Sequence, residues 1–266
     1  MHRIRRYCCR AATAALLLAS ALPAGCADPP DPLLAAQQAA ANTAAAGKRL
    51  LYVGLALYSE QWSENDVVEL ADKLRSASQY EVVPMIASNV ISPQRAYPLA
   101  TDTAIATLVN AAATQAGPND IVFVDISTHG ARLALARKVD GNPPTLMSSH
   151  QLADALAPLA AHRAIIVISA CFSGSLIGDL QAPGRIIITA ARADRTSFGC
   201  AAGNRHTFFG EAELDAFSEP DRSLHQVFSA IREDVAHMEQ AKRYRPSEPQ
   251  ISVGTDVADL YDAAVF

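Results

Sequence analysis

From residue 50 onward, short apolar runs alternate with longer stretches whose apolar positions recur every three or four residues. Leu50 to Leu57, Glu81 to Ile86, Asp120 to Ser127, Ile165 to Ser169, Arg185 to Thr189 and Gln250 to Val253 read as strands. Runs such as Ile121-Val122-Phe123-Val124 and Ile165-Ile166-Val167-Ile168 lack the alternation of a half-exposed strand and are rich in β-branched residues. That pattern belongs to strands covered by helices on both faces of a parallel sheet. Between them, Val67, Leu70, Ala71 and Leu74, then Ile105, Leu108 and Val109, then Leu152, Leu156 and Leu159 carry helical spacing, as do Thr207 to Phe217 and Ser223 to Lys242. Ser63 with Asp66 three places on, Thr101 or Asp102, and Ser149 are the expected helix caps, and Gly117-Pro118 closes the second helix. Arg132 to Arg137 with the turn at residues 140–144 reads as a small hairpin, and Ala190 to Asn204 as a long polar loop. Strands alternating with helices, without an internal repeat, predict one α/β domain on a mostly parallel sheet.

Two of the predicted strands end in residues able to do chemistry. One opens into Ser127-Thr128-His129-Gly130 and the next into Ser169-Ala170-Cys171-Phe172-Ser173-Gly174. In open α/β sheets ligands bind beyond the carboxyl ends of the strands. A nucleophilic thiol needs a base to take its proton, and imidazole is the usual partner. Adjacent strands would bring His129 to Cys171. Gly130 adds a backbone N–H that no side chain shields, which together with the N–H of Cys171 is suited to an oxyanion. Ser173-Gly174-Ser175 permits a tight turn into a helix whose N-terminus would favour a thiolate. The chemistry these residues suit is acyl transfer at an amide carbonyl.

Composition narrows the class. The chain has 266 residues, half hydrophobic and 18% charged, with net charge -5. Scattered Lys and Arg argue against nucleic-acid binding. The beginning differs from the rest: Arg3, Arg5, Arg6 and Arg10 precede the apolar run Ala11 to Leu22, too short for a membrane anchor and tripartite like a secretory signal. Residues 1–25 are therefore expected as a signal peptide and the protein as exported, periplasmic or held at the membrane as a lipoprotein. Leu22-Pro23-Ala24-Gly25-Cys26 fits either lipid attachment at Cys26, with Pro23 departing from the usual pattern, or simple cleavage near Ala24. Residues 26–47, rich in Ala, Gln and Pro, read as a tether with an Ala-rich stretch able to form a short helix, and 48–266 as the folded domain. Cys171 and Cys200 could pair in an oxidising compartment, but the small, glycine-rich surroundings of Cys171 speak for a reactive thiol. His150, His162, His206, His225 and His237 lack metal-ligand spacing and read as surface or interface residues. Asp125 would orient His129 only if strand alternation did not turn it away, and Trp62 reads either as a pocket wall or, more readily, as packing over the first helix.

The paired signatures, 42 residues apart from His to Cys, resemble those of the legumain-like C13 cysteine peptidases of the caspase-like clan CD. Thr189-Ala190-Ala191, Asp194 through Cys200, Thr207-Phe208-Phe209-Gly210 and Pro249-Gln250-Ile251 match in the same order, the second most like the bacterial branch. The resemblance implies a caspase-like three-layer sandwich with a sheet of about six strands. It implies a His129/Cys171 dyad with Gly130 as oxyanion donor, no cofactor and no metal, and a peptide or protein substrate. The loop from Arg192 to Cys200 would line the pocket for the residue before the scissile bond, with Asp194, Ser197 and Ser169 as candidate substrate-binding residues. Two departures withhold the family's asparagine preference. Ser169 stands two before Cys171 where legumains carry an acid, and Tyr58-Ser59-Glu60-Gln61-Trp62 stands where they carry a basic residue. Three activities fit: a cysteine endopeptidase, a transpeptidase resolving the same acyl-enzyme with an amine, or a binding lipoprotein that keeps the fold without catalysis.

Overall fold

The computed structural model describes residues 31–43, 48–94, 96–263 and 266. The expected signal region and Cys26 lie outside these residues. Six strands form the main sheet in the order β2-β1-β3-β7-β8-β9: β1 is Arg49–Ala56, β2 Glu81–Ser88, β3 Ile121–Ser127, β7 Ala164–Ser169, β8 Arg185–Thr189 and β9 Gln250–Val253. All neighbours pair in parallel except β9, which runs antiparallel to β8 at the edge. Strands β4 (Gly130–Ala131), β5 (Ala134–Arg137) and β6 (Thr145–Ser148) make a separate antiparallel sheet, the hairpin expected after His129 with one further short strand.

Every residue of β1, β3, β7 and β8 is buried. Alternation is present but hidden, because both faces are apolar. Leu51, Val53, Val124 and Ile168 face one core with Ile105 and Leu108 of α3 (Asp102–Gln115) and Leu152 of α4 (Ser149–Ala155). Leu50, Tyr52, Phe123 and Val167 face the other core. There they meet α2 (Gln61–Ala77), α6 (Phe208–Ala216) and α7 (Leu224–Lys242) through Val67, Phe209 and Ile231. The result is a helix–sheet–helix sandwich. Two smaller helices complete it, α5 (Ile177–Leu180) after β7 and α8 (Ala258–Asp262) near the end.

Local differences from expectation have simple causes. Part of the expected tether is a docked helix, α1 (Pro32–Thr43): Leu34 joins the core and the Gln37 side chain accepts from the Ile86 N–H on edge strand β2. The first cap is Glu60 rather than Ser63, whose hydroxyl instead lies 2.7 Å from the Tyr58 carbonyl oxygen and 3.0 Å from that of Glu60, with one proton to give. The third is Ser148, which forms a reciprocal box with Gln151, one residue before Ser149. Thr101 and Ser223 cap as the pattern requires.

Where β1 hands over to β3 the order of connection reverses, the place at which α/β sheets open a crevice. Beneath it, Asp125 projects from β3 into the second core and is 1% exposed. The Tyr52 hydroxyl lies 2.7 Å from Asp125 Oδ2 and 2.6 Å from the Val67 carbonyl oxygen. One phenolic proton serves only one of these, so a protonated Asp125 satisfies both contacts. Burial pushes the Asp125 carboxyl up to about 7, with the nearby Asp66 adding to the rise against the Tyr52 hydrogen bond. The folded state then holds a proton that the unfolded chain has released, so this residue's contribution to stability falls as pH rises from about 4 to about 7. In chemical denaturation across that window, wild type should lose stability relative to Asp125→Asn as pH rises; parallel curves would remove the assignment.

Candidate active site

His129 and Cys171 are set by the pairing of β3 with β7. Ser127 lies opposite Ser169 in the parallel register, and the Thr128 N–H donates to the Ser169 carbonyl at 3.1 Å. Each strand then runs two residues further to the candidate side chain. His129 and Cys171 therefore leave adjacent strands at the same height. Both are half-buried.

The backbone here is tightly packed. A Cβ on Gly130 would stand 2.1 Å from the Cys171 carbonyl oxygen, so only glycine lets the His129-Gly130 segment cross the Cys171 peptide. The Ala136 N–H donates to the His129 carbonyl. In the antiparallel β4–β5 ladder the next pair, Gly130 opposite Leu135, is then of the non-hydrogen-bonded kind, and the Gly130 N–H points away from β5. Among the described residues the Cys171 N–H donates to no backbone acceptor. After Cys171 the chain turns through Phe172 in the left-handed region (φ 57°), a conformation costing about 1–2 kcal/mol in a non-glycine residue. The Phe172 N–H to the Arg195 carbonyl (2.7 Å) and Gly174 N–H to the Ala191 carbonyl (2.8 Å) bind this turn to the loop after β8. The expected helix after Cys171 is only a 3-10 turn, Ser173–Leu176, followed by the four residues of α5, so its dipole is small.

His129 is held by rings. Tyr58 and Trp62 pack edge-on against the imidazole, with centroids at 4.4 and 5.2 Å. Burial pulls the His129 imidazole below its ordinary value, the Glu60 carboxylate pulls it up, and Lys138 pulls it down, with the net direction down. A neutral imidazole at neutral pH is ready to accept a proton. Asp125 bonds Tyr52 in the core instead of orienting this ring.

Of the residues expected to bind substrate, Ser197 reaches the thiol: its carbonyl oxygen lies 3.5 Å and its hydroxyl 3.8 Å from Cys171 Sγ. Asp194 is exposed and paired with Arg192, which also bridges to Glu248. Ser169 lies beneath the cleft, 2% exposed, with its hydroxyl 3.0 Å from that of Thr207. Cys171 and Cys200 are free thiols. Burial pushes the Cys200 thiol up, and Cys171 and Glu60 nearby add to the rise. A cleft of about 1320 Å3 runs from Ser197 and Cys200 toward Phe208 and Tyr244, but neither His129 nor Cys171 lines it.

The residue that the sequence concealed is Asp66. On the buried face of α2, its Oδ2 accepts from the Ser127 hydroxyl (2.8 Å) and the Thr207 hydroxyl (2.9 Å), and its Oδ1 lies 3.0 Å from His206 Nδ1 and accepts the Thr207 N–H at 3.3 Å. Thr207 spends its proton on Asp66, so Ser169 donates to Thr207. One carboxylate thus ties together the residues two before His129 and two before Cys171. His206, expected as a surface or interface residue, belongs to this network with a 9% exposed side chain. Gly210 is glycine because a Cβ would sit 2.3 Å from Asp66 Oδ1. The available signal was an acid at a core position of the Trp62, Asp66, Leu70 stripe.

This three-layer arrangement is that of the caspase-like proteins. Caspase-1 from Spodoptera frugiperda aligns with a TM-score of 0.51 at 15% identity, covering 76% of this chain and 84% of that one. The structure of pro-sf-caspase-1 aligns with 0.53 at 13% identity, covering 84% and 97%. At such identity the likeness concerns the fold. A search of curated proteins returns no match. The sequence profile of the peptidase C13 family matches residues 89–258, from the end of β2 through the last strand. The chain belongs to the peptidase C13 family, and family and fold together make it a cysteine peptidase.

Asp66→Ala would leave several buried donors without a partner, each costing about 1–3 kcal/mol. The variant should lose about 3 kcal/mol or more in urea unfolding, and under conditions where it remains folded kcat should fall more than KM. Asp66→Asn, which keeps two of the acceptor contacts, should recover part of both; an unchanged kcat in the alanine variant would show that the network does not position the site.

Proposed function

We propose that the protein hydrolyses peptide bonds through a Cys171 nucleophile with His129 as proton carrier. The observation that carries this reading is the equal offset of the two side chains from paired Ser127 and Ser169, with two backbone N–H groups left over beside them. His129 takes the thiol proton as Sγ bonds to the substrate carbonyl carbon, and the π electrons move to oxygen. That oxyanion is received by the N–H groups of Gly130 and Cys171, an arrangement worth about 3–4 kcal/mol per donor in related chemistry. Collapse of the adduct breaks the C–N bond, and His129 gives its proton to the leaving amine. Water then attacks the thioester with His129 as base, releasing the acid and restoring the thiol.

The immediate surroundings support the same roles. Tyr58 and Trp62 fix the imidazole plane, and the loop from Arg192 to Cys200 brings Ser197 to the thiol. The charged and apolar start of the chain favours action after export. Among the described residues no helix is long and apolar enough to cross a membrane.

A peptide library digested with wild type and with Cys171→Ala provides the test. Cleavage should fall by at least about a thousandfold in the variant, the scale for removing a nucleophile that works with its base as a unit. Identical digestion patterns and rates would end the peptidase assignment to this residue and favour a binding role for the fold.

A further inference from the structure

The loop after β8 is clamped to α2 by three consecutive residues. The Arg205 carbonyl accepts from the Asn65 side chain at 2.9 Å, His206 Nδ1 lies 3.0 Å from Asp66 Oδ1, and Thr207 gives Asp66 both its N–H and its hydroxyl. Asp66 acts as an acceptor throughout, since its Oδ2 takes two hydroxyl protons and its Oδ1 an amide proton, so Nδ1 is the His206 nitrogen that bears hydrogen. The other nitrogen has two neighbours of opposite kind. Nε2 stands 3.3 Å from Glu69 Oε2 and 3.2 Å from Arg205 Nε, and Arg205 also donates to Glu69 at 2.9 Å. A charged ring gives its second proton to Glu69, whereas a neutral ring accepts from Arg205. The Nδ1–H bond to Asp66 survives in both states.

The two oxygens of Asp66 are not held alike. Oδ2 receives the Ser127 and Thr207 hydroxyls, the contacts that fix the end of β3 and, through Ser169, the end of β7. Among the described residues Oδ1 has the Thr207 N–H at 3.3 Å, beyond the usual range for a hydrogen bond to oxygen, and His206 at 3.0 Å. Without His206 the longer contact alone would remain, and the carboxylate could turn about its Cβ–Cγ bond and release the two hydroxyls. Burial pushes the Asp66 carboxyl up, and the His206 hydrogen bond is foremost among the influences that hold it down. We propose that His206 is a positioning residue for the dyad: its Nδ1–H locks the orientation of the Asp66 carboxylate, and through Ser127 and Ser169 that lock sets His129 against Cys171. The inference rests on the peptidase reading above. The same clamp reaches the loop beside the thiol, where the Phe208 N–H donates to the Phe198 carbonyl at 3.0 Å, next to Ser197 with its carbonyl oxygen 3.5 Å from Cys171 Sγ.

The test is the rate of Cys171 alkylation by iodoacetamide at neutral pH, followed on its own peptide by mass spectrometry in the full chain, with urea unfolding of each variant alongside. His206→Asn keeps an N–H at the place of Nδ1, His206→Gln moves it to the place of Nε2, and His206→Ala removes both. The alanine and glutamine variants should react at least about tenfold more slowly than wild type, the lower end for one hydrogen bond to a charged group, and the asparagine variant within about threefold of it. A side chain that only filled space would be replaced by glutamine as well as by asparagine, so the split between these two marks positioning. If one of the alanine and glutamine variants unfolds, the other decides. Equal rates in all four proteins, equal slowing by asparagine and glutamine, an asparagine variant that does not fold, or unfolding of both the alanine and the glutamine variants would overturn the proposal. His129→Ala separates it from the reading it rests on. A rate unchanged in that variant would overturn the peptidase mechanism and the proposal together, whereas a rate that depends on His129 but not on His206 would overturn the proposal alone.

Discussion

The structure depends on the register between β3 and β7, and that register is locked from below by one carboxylate. Parallel strands buried on both faces would tolerate a slip only by turning every side chain into the wrong core. Asp66 adds a polar lock to this apolar one. Ser127 reaches it directly and Ser169 through Thr207, so the last residue of each strand is fixed to the same point on α2. From those anchors the chain has only two residues of freedom before His129 and Cys171. A site assembled from different strands gains its precision from such a short lever.

Above this floor the site combines close backbone contact with aromatic confinement. Gly130 lies on the Cys171 peptide, Phe172 turns the chain in a left-handed conformation, and Tyr58 with Trp62 confines the imidazole. The charges are sparse and separated: Glu60 near His129, Lys138 over Tyr58, and the Arg192, Arg195 and Glu248 cluster bracing the loop after β8. Burial also holds acids below the sheet, where Asp125 and Glu213 are both pushed upward by loss of water.

Much of this was legible in the chain. Uninterrupted apolar runs marked β3 and β7 because both their faces are covered, and the residues following each run stood out as chemistry placed at strand ends. Ser173 and Gly174 correctly signalled a tight turn, yet the helix expected behind them is barely one turn long, since nothing in a short apolar run distinguishes a 3-10 turn from a helix. Asp66 was hidden because its neighbours Ser63, Glu64 and Asn65 resemble a helix start, and its partners Ser127, Thr207 and His206 are separated from it by more than sixty residues. Ser169 was placed at the cleft by its position before Cys171, but strand alternation turns it to the floor. Long-range polar knots leave little local pattern, whereas burial on two faces leaves a strong one.

The central claim is that the shared register makes His129 and Cys171 one chemical unit. The pH dependence of Cys171 alkylation by iodoacetamide, followed on its own peptide by mass spectrometry in wild type and in His129→Ala, tests this most directly. The account predicts that the wild-type profile carries an inflection below the ordinary imidazole value of about 6.5, because burial lowers His129, and that the variant loses it. It also predicts that the rate at neutral pH falls at least about tenfold in the variant, as expected when a thiol loses its base. Superimposable profiles would mean that the two residues, although neighbours, do not act together.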